Sequence, residues 1–289
     1  MSLKELKKLI PWYIKLVIKI MLSLVPNKEV FFKSFSIYNL GDMVNPKYSL
    51  QVFTSHLKYS NFDLKNSIIL EIGPGDSVST GIIAWSMGAK ESYLIDNGNY
   101  ATKDIKIYKK LIQILKNSGY EKAIKLDECT NFDELLKIAN IVYFNKGLNS
   151  LQKIESNSID FCFSQAVLEH IFLKDFSAFI SELYRVQKVG GLSSHQVDLT
   201  DHLGESLNSL RFNTAIWESN IFKYSGFYTN RLRCYQLKEI FQISGFNISK
   251  IQLSKWKQIP IKRKWLFKDF KNITEKELLI KGMHILCEK

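Results

Sequence analysis

The segment at residues 68–76, which reads Ile-Ile-Leu-Glu-Ile-Gly-Pro-Gly-Asp, constrains the fold of this chain more than any other. Its apolar start, Ile68 to Ile72, predicts a strand buried in a parallel sheet. Gly73 and Gly75 follow at once, and a ligand can approach a glycine backbone closely because there is no Cβ. A second apolar run ends at Asp96, whose carboxylate is suited to accept hydrogen bonds from a ribose. Together these features predict a nucleoside-binding half-site in the first third of a doubly wound sheet.

The spacing of the glycines separates this turn from a dinucleotide site. A dinucleotide fingerprint has a third glycine three residues after the second, and that position holds Val78. Asp76 would repel a pyrophosphate but not a ligand that carries a positive charge. A nicotinamide-dependent oxidoreductase is therefore disfavoured. The simplest alternative is a glycine turn that only ends a core strand.

At this turn the chain resembles the class I S-adenosylmethionine-dependent methyltransferases. Their first motif has the form acid-x-Gly-x-Gly, and Glu71, Gly73, Gly75 and Asp96 stand at the matching positions. The resemblance is to small-molecule (type 11-like) members of the class.

Two later segments strengthen the resemblance, which covers about residues 62–254. Val-Leu-Glu-His at 167–170 follows a predicted strand at 158–163, as it does in small-molecule and lipid-quinone methyltransferases. Lys-Val-Gly-Gly at 188–191 corresponds to the Lys/Arg-Pro-Gly-Gly turn before the fifth strand of the family, with valine in place of proline. Motifs in this order are more specific than any one of them.

The resemblance implies an α/β fold: a doubly wound, seven-stranded, mostly parallel sheet of the Rossmann-like methyltransferase type with an amino-terminal helical cap. Residues 1–60 would form the basic, amphipathic cap. Residues 61–289 would form the methyltransferase domain, with a substrate or lid insertion at about 200–232. Apolar runs predict strands near 68–72, 92–95, 141–144, 159–163, 192–198, 246–253 and 283–288.

The cofactor that the resemblance implies is S-adenosyl-L-methionine. The first-motif residues would hold its methionine end, and Asp96 would bind the ribose hydroxyls. Ser164 and Gln165 would lie under the sulfonium, and Asn145 would contact the adenine. The predicted cofactor-binding residues are Glu71, Gly73, Gly75, Asp76, Asp96, Asn145, Ser164 and Gln165.

A polar cluster near the end of the fifth predicted strand supplies the candidate catalytic residues. His195 and Asp198 are three residues apart on a strand, so their side chains point to opposite faces, and we predict no metal site. His202 or Asp198 is the predicted general base for a substrate hydroxyl, because a neutral imidazole takes up a proton near pH 7. His170 would orient the adjoining loop. For each residue, a hydrogen-bonded structural role is the alternative.

The insertion at about 200–232 carries the predicted acceptor contacts, which are Arg211, Tyr228 and Arg231. Loops at the active-site end of a fold often set specificity, and guanidinium groups bind phosphate or carboxylate through paired hydrogen bonds. The alternative is a helical hairpin whose aromatic side chains close the core.

The net charge of +12 is concentrated at the two ends of the chain. Residues 1–60 hold nine lysines against three acids, and residues 255–281 hold nine lysines and arginines against three acids. Solvated faces and attraction to a polyanionic surface explain this equally well. The four scattered cysteines form no Cys-x-x-Cys pair, which predicts a reduced, cytoplasmic protein.

The apolar stretch at residues 9–26 is interrupted by Lys15 and Lys19, which argues against a membrane-spanning helix. A cleavable secretory signal is also disfavoured, because no small-residue cleavage site follows. Two interpretations remain open, and they are compatible. The helix packs on the core as a cap, or it lies in a membrane interface and gives the protein peripheral membrane contact.

The function predicted from these features is S-adenosylmethionine-dependent methyl transfer to a hydroxyl of a small-molecule, glycan or lipid-linked acceptor. One alternative is an RNA or DNA methyltransferase. It is weaker because Ser-Gln-Ala-Val at 164–167 replaces the Asn/Asp-Pro-Pro-Tyr-like turn common in enzymes that methylate base amino groups. The other is a scaffold that binds S-adenosylmethionine without turnover.

Overall fold

The structure, a computed structural model, describes residues 10–23 and 42–289. The strands in this part of the chain are Ile68–Ile72 (β1), Glu91–Ile95 (β2), Ile141–Phe144 (β3), Ile159–Gln165 (β4), Gln187–Asp198 (β5), Asn247–Lys255 (β6) and Ile280–Glu288 (β7). They form one sheet in the order β3-β2-β1-β4-β5-β7-β6. The first five pair in parallel, and β7 runs antiparallel to both β5 and β6. The predicted doubly wound, mostly parallel sheet is confirmed.

Helices precede the sheet, connect its strands and fill the insertion after β5. The α-helices are Trp12–Ser23 (α1), Pro46–Ser60 (α2), Ser79–Ser86 (α3), Ile105–Asn117 (α4), Phe132–Ile138 (α5), Leu148–Leu151 (α6), Leu173–Val186 (α7), Thr214–Trp217 (α8), Asn220–Lys223 (α9), Cys234–Ile243 (α10) and Glu275–Leu278 (α11). Short 3₁₀ helices span Glu121–Leu126, Leu168–His170, Asn208–Arg211, Arg263–Trp265 and Lys268–Phe270.

The connecting helix α4 shows how the sequence specifies these elements. Its buried residues, Tyr108, Leu111, Ile112 and Leu115, follow the spacing of a single helical face. Asp104 caps the amino terminus by accepting a hydrogen bond from the Lys106 amide, 3.0 Å away. The helix therefore begins at a side-chain cap and turns one apolar stripe towards the sheet.

The sheet separates two hydrophobic clusters, because successive side chains of a strand point to opposite faces. Cys162 of β4 packs with the apolar faces of α7 and α10. Phe161 and Phe163, its neighbours along the strand, pack with α2, α3 and α4 on the other side. Helices thus cover both faces of the sheet, which leaves the carboxyl ends of the parallel strands as the open edge for a ligand.

The start of β5 differs from its prediction. The sequence predicts a turn at 188–191 and a strand from residue 192, but β5 begins at Gln187. The intervening residues form an irregular stretch, since Ile159 pairs with Gln187 whereas Phe161 pairs with Leu192. A strand beside another strand can absorb extra residues as a bulge, so the glycines stay within the sheet.

The predicted cap at residues 1–60 is described only in part, because residues 1–9 and 24–41 lie outside the described residues. Helix α2 packs on the sheet through Phe53, which is fully buried. Helix α1 packs instead on the insertion after β5. No described helix has both the length and the apolarity that crossing a membrane requires. The domain boundaries at about 60, 200 and 232 stay predictions.

Candidate functional site

The glycine turn lies at the carboxyl end of β1 and faces Asp96, at the carboxyl end of β2. Gly73 and Gly75 have φ angles of +75° and +68°, in the left-handed region that favours glycine. The Gly75 amide donates to Oδ2 of Asp96 at 3.1 Å, and the Asn97 amide donates to Oδ1 at 2.8 Å. The structure therefore brings the two halves of the first motif into direct contact.

Asp96 has the hydrogen-bonding capacity that a ribose requires. A carboxylate offers about four lone pairs, and the two backbone amides use two of them. The remaining two can accept the two hydroxyls of a ribose. Burial raises the pKa of Asp96 to about 6, which leaves the group mostly ionised at pH 7. The remaining acceptors of Asp96 thus fit the ribose hydroxyls of S-adenosylmethionine.

Gly73 also makes room for the segment that follows β4. A Cβ at this position would lie 2.4 Å from Cγ2 of Val167, closer than any real contact. The segment then turns sharply, because the His170 amide donates to the Val167 carbonyl at 2.8 Å. Val167 therefore ties the glycine turn to the short 3₁₀ helix that ends in His170.

Two acids predicted to bind the cofactor make contacts with residues outside the turn. Glu71 is buried and accepts a hydrogen bond from the Thr80 hydroxyl of α3. Burial raises its pKa to about 8, so the carboxyl is mostly protonated at pH 7. Asp76 accepts from the Val44 amide at 3.2 Å, and burial raises its pKa to about 6. These contacts fix the shape of the turn, and direct contact with the cofactor stays a prediction for both acids.

The other predicted cofactor residues differ in exposure. Ser164 is fully buried, and its hydroxyl lies 2.8 Å from Nδ1 of His195. Gln165 is half-buried, with Oε1 3.2 Å from Nε2 of His56 on α2. Asn145 is exposed after β3. Of the three, Ser164 is therefore placed least favourably for contact with a ligand, and all three assignments stay predictions.

His170 and His202 form a stacked pair beyond the carboxyl ends of β4 and β5. Their ring centroids are 4.9 Å apart with an interplanar angle of 17°, and their Nε2 atoms lie 3.1 Å apart. Loss of contact with water is the larger cause, and the nearby His202 the second, that lowers the pKa of His170 to about 4. Burial likewise lowers the pKa of His202, against the opposing effect of the Asp198 charge. Both rings are neutral at pH 7.

The hydrogen bonds of the pair fix where its protons lie. Nδ1 of His170 is 3.0 Å from the carbonyl of Tyr228 and must donate to it. Nε2 of a neutral His170 is then an acceptor, so His202 donates from its own Nε2. The nitrogen left unprotonated is Nδ1 of His202. This is the atom of the pair that can accept a proton from a substrate.

Asp198 ends β5 beside this pair. Its Oδ1 accepts from the Thr200 amide at 2.8 Å, and its own amide donates to Glu169 at 3.2 Å. His195 is instead fully buried within β5 and packs on Phe241, at a centroid distance of 5.6 Å. No group of three or more metal-ligating side chains occurs in the described residues.

Arg211, predicted to contact the acceptor, has aromatic partners in the structure. Its guanidinium lies between Trp12 and Trp265, 4.9 and 4.6 Å from the ring centroids. Its Nε donates to Asn208 at 2.9 Å. These contacts tie α1 to the insertion and to the segment after β6. A contact with the acceptor stays a prediction.

Arg231 and Tyr228 are also held within the insertion. Arg231 is 7% exposed and donates to the Phe212 carbonyl at 2.8 Å. Tyr228 is 4% exposed, and its hydroxyl donates to the Glu218 carboxylate at 2.9 Å. To touch an acceptor, either side chain would have to leave these partners. The alternative of an insertion closed by its aromatic side chains fits the buried Trp217, and the acceptor roles stay predictions.

The sequence did not predict that two further titratable groups, Lys19 and Glu169, lie near the histidine pair. The charge of Lys19 on α1 contributes to lowering the pKa of both histidines, and its ammonium donates to the Gly226 carbonyl at 3.4 Å, two residues before Tyr228. Glu169 is buried with an unpartnered Oε2, and burial raises its pKa to about 8. For Lys19, the sequence offers one indication, because a lysine within an apolar helix requires a polar partner. The environment of Glu169 depends on packing that no local pattern shows.

Comparison with known protein families finds one match to this part of the chain. Residues 70–194 match the model of a family described as "Methyltransferase domain". This match spans the glycine turn, Asp96 and His170. None of the curated proteins compared with the chain matches it.

Several solved structures are similar to this chain at low sequence identity. A SAM-dependent methyltransferase of Archaeoglobus fulgidus is 14% identical, with a TM-score of 0.46, over 83% of this chain and 93% of that chain. A SAM-dependent methyltransferase of Methanosarcina mazei is 16% identical, with a TM-score of 0.48, over 80% and 96%. Phosphoethanolamine N-methyltransferase 2 of Haemonchus contortus, in complex with S-adenosyl-L-methionine, is 14% identical, with a TM-score of 0.48, over 83% and 52%.

Proposed function

We propose that the protein uses S-adenosylmethionine to methylate a hydroxyl of a small-molecule, glycan or lipid-linked acceptor, since residues 70–194 match a methyltransferase domain. One observation carries the proposal: the predicted cofactor turn and a pair of neutral histidines lie at the two ends of one short segment. Val167 packs on Gly73, and His170, three residues later, contacts His202. Three residues of 3₁₀ helix span only about 6 Å.

The donor side of the reaction depends on the glycine turn. S-adenosylmethionine supplies a methyl carbon that is electrophilic because it is bonded to a sulfonium. Gly73 and Gly75 would let it approach the backbone, and Asp96 would hold its ribose through the two lone pairs left on the carboxylate. These contacts orient the methyl group, and orientation supplies much of the acceleration in a displacement of this kind.

The acceptor side depends on His202. A hydroxyl oxygen becomes a better nucleophile as its proton leaves, and Nδ1 of His202 is free to take that proton. The new bond joins the acceptor oxygen to the methyl carbon, while the electron pair of the broken bond stays on sulfur. The Asp198 charge favours the imidazolium form of His202, so it would stabilise the protonated base.

The direct test is transfer of a radiolabelled methyl group from S-adenosylmethionine to a fractionated extract of the source organism. The proposal expects label in a glycan, lipid or small-molecule fraction, in a linkage with the alkali stability of a methyl ether. Label in RNA, DNA or protein would contradict it. Calorimetry of the same preparation would identify a scaffold by cofactor binding without any transfer.

A variant of His202 tests whether the histidine pair takes part in methyl transfer. His202→Gln keeps a polar side chain of similar length but removes the base. The proposal expects transfer to fall by about a hundredfold or more, with little change in cofactor affinity. Equal transfer by His202→Gln and the wild type would remove His202 from the reaction.

A further inference from the structure

Helix α1 exposes one stripe of large apolar side chains. Five large residues lie on one side of the helix and are between 42% and 64% exposed: Tyr13, Ile14, Val17, Ile18 and Met21. Their spacing of i, i+1, i+4, i+5 and i+8 places them on one continuous stripe. We call this stripe the outer face of α1. It contains no charged residue.

The lysines of α1 lie on the other half of the helix. Lys19 donates to the Gly226 carbonyl at 3.4 Å, within the insertion, and Lys15 is half-buried. Between them, Leu16 and its neighbours one turn away pack on the aromatic cluster around Trp217. A surface helix normally turns its apolar stripe to the core and its charges to water. In α1 the exposed half is entirely apolar.

A neighbouring element also exposes apolar side chains. Helix α9 contacts α1, and it exposes Ile221 by 53%, with Tyr224 just beyond its end exposed by 58%. Several large apolar side chains exposed on two adjoining helices mark an interaction site, because leaving them in water is unfavourable.

We propose that the outer face of α1, with Ile221 and Tyr224, docks on an anionic membrane surface so that α1 lies in the plane of the interface. The length of the helix agrees with lying rather than spanning: twelve residues extend about 18 Å, and the hydrocarbon core is about 30 Å thick. The aromatic Tyr13 suits the headgroup region.

Charge favours a bilayer over a second copy of the chain. Residues 1–60 hold nine lysines and three acids, so two copies that met through this region would repel each other. Anionic headgroups attract the same charge, and each basic group near such a surface adds to binding. An apolar helix face within a lysine-rich stretch of sequence is the combination that interfacial helices use.

The docking has a consequence for the acceptor, and this consequence rests on the proposed function. Lys19, on the inner half of α1, is close enough to His170 and His202 to influence their pKa values. The Gly226 carbonyl that accepts from Lys19 lies two residues before Tyr228, whose carbonyl contacts His170, so a membrane on the outer face would lie across α1 from this part of the insertion. An acceptor anchored in the bilayer could present its hydroxyl there without leaving the membrane.

The test is flotation of the full chain with lipid vesicles, without methyl donor or acceptor, so that it is independent of catalysis. Vesicles of phosphatidylcholine alone are compared with vesicles that contain about one third phosphatidylglycerol. We expect binding to the anionic vesicles, weakened by added salt because headgroup attraction is screened.

Two double variants distinguish vesicle binding through the outer face from binding through any exposed apolar side chain. Val17→Ser with Met21→Ser removes apolar side chains from the outer face and should reduce vesicle binding by about tenfold or more. Val189→Ser with Ile243→Ser is the matched control, because these residues are 84% and 78% exposed but lie on β5 and α10. The control pair should bind as the wild type does.

Three results would overturn the proposal. They are absence of binding to anionic vesicles, equal binding by both pairs of variants, and a wild-type dimer in light scattering that Val17→Ser with Met21→Ser converts to a monomer. Calorimetric titration with S-adenosylmethionine checks each variant for an intact fold. Unchanged cofactor affinity with lost vesicle binding would separate docking from methyl transfer.

Discussion

The Nε2 atoms of His170 and His202 face each other at 3.1 Å, with their rings stacked. Only one of the two nitrogens can carry a proton, since two N–H groups at this distance would repel each other. The carbonyl of Tyr228 determines which one, because it requires the proton of His170 on Nδ1. A single backbone acceptor therefore leaves Nδ1 of His202 basic, and the site can take up one proton there.

The pH dependence of methyl transfer should report His202. Its folded pKa lies below the ordinary value of 6.5, and the base works only when unprotonated. The rate at saturating substrate should therefore be constant above about pH 6.5 and fall below it. The His202→Gln variant should lack this fall. A fall with the same midpoint in His202→Gln and in the wild type would contradict the assignment.

Loss of the Asp96 carboxylate should weaken cofactor binding. Asp96→Ala removes two acceptors for the ribose and the acceptors of the Gly75 and Asn97 amides, and we expect affinity to fall about tenfold to a hundredfold. In the wild type, affinity should also fall below about pH 6, where the raised pKa of Asp96 allows its protonation. Calorimetry measures both effects.

The control for this variant is Asp63→Ala. Asp63 is an exposed acid that caps only the Lys65 amide, at 3.0 Å, away from the turn. Its loss should leave cofactor affinity unchanged. Equal weakening by the two substitutions would show that the effect of Asp96 is a general one of lost charge.

Gly73→Ala should destabilise the fold more than an equivalent change in open space. Alanine at φ +75° costs about 1–2 kcal/mol, and the collision of its Cβ with Val167 adds about 1–3 kcal/mol. Val167 cannot easily turn away, because β-branched side chains are stiff at χ1. Denaturant unfolding of the cofactor-free protein measures the sum.

Gly119→Ala isolates the backbone contribution. Gly119 has a φ of +85°, and its Cβ would meet no atom within 4 Å, so only the backbone cost applies. In a Gly73→Ala background, Val167→Ala should restore part of the loss by removing the collision. If Gly73→Ala cost no more than Gly119→Ala, the packing of Val167 on the turn would be wrong.

Glu71→Gln should change how stability depends on pH. Burial raises the pKa of Glu71 from 4.5 to about 8, so between these values the folded chain keeps a proton that the unfolded chain releases. The contribution of Glu71 to stability is therefore present below pH 4.5 and is lost as pH rises towards 8. Glutamine is neutral throughout and escapes this loss. Relative to wild type, the variant should gain up to about 1.4 kcal/mol per pH unit in this window.

Thermal unfolding at a series of pH values measures this gain, with Glu121→Gln as the control on an exposed glutamate. The control should follow the wild-type curve. Parallel curves for Glu71→Gln and the wild type would mean that Glu71 is ionised in the folded protein.

The sheet could be predicted because its signals are local. Strand β1 ends in glycines at the residues expected, and β3 has the bounds predicted from its apolar run alone. The start of β5 could not be predicted from the sequence, because a bulge depends on pairing with the neighbouring strand and not on the sequence of the bulge itself. Element positions thus follow from local pattern, and irregularities from pairing.

In the candidate site, too, contacts within a local motif could be predicted and contacts between distant segments could not. Gly75 and Asp96 were paired from a motif, and the structure joins them by a hydrogen bond. The contact between His170 and His202 joins residues 32 apart in the chain, and no spacing rule anticipates it. The aromatic partners of Arg211 also come from distant segments. In an arginine beside aromatic residues, the sequence does not distinguish a substrate contact from an internal one.

The central claim is that the glycine turn and Asp96 hold the methyl donor beside His202, and a crystal structure with S-adenosylhomocysteine tests it most directly. An acceptor oxygen about 3 Å from both the base and the methyl carbon places the sulfur within about 8 Å of Nδ1 of His202. We predict that spacing, with both ribose hydroxyls on Asp96. A sulfur more than about 12 Å from His202, or a ribose bound away from Asp96, would contradict the account.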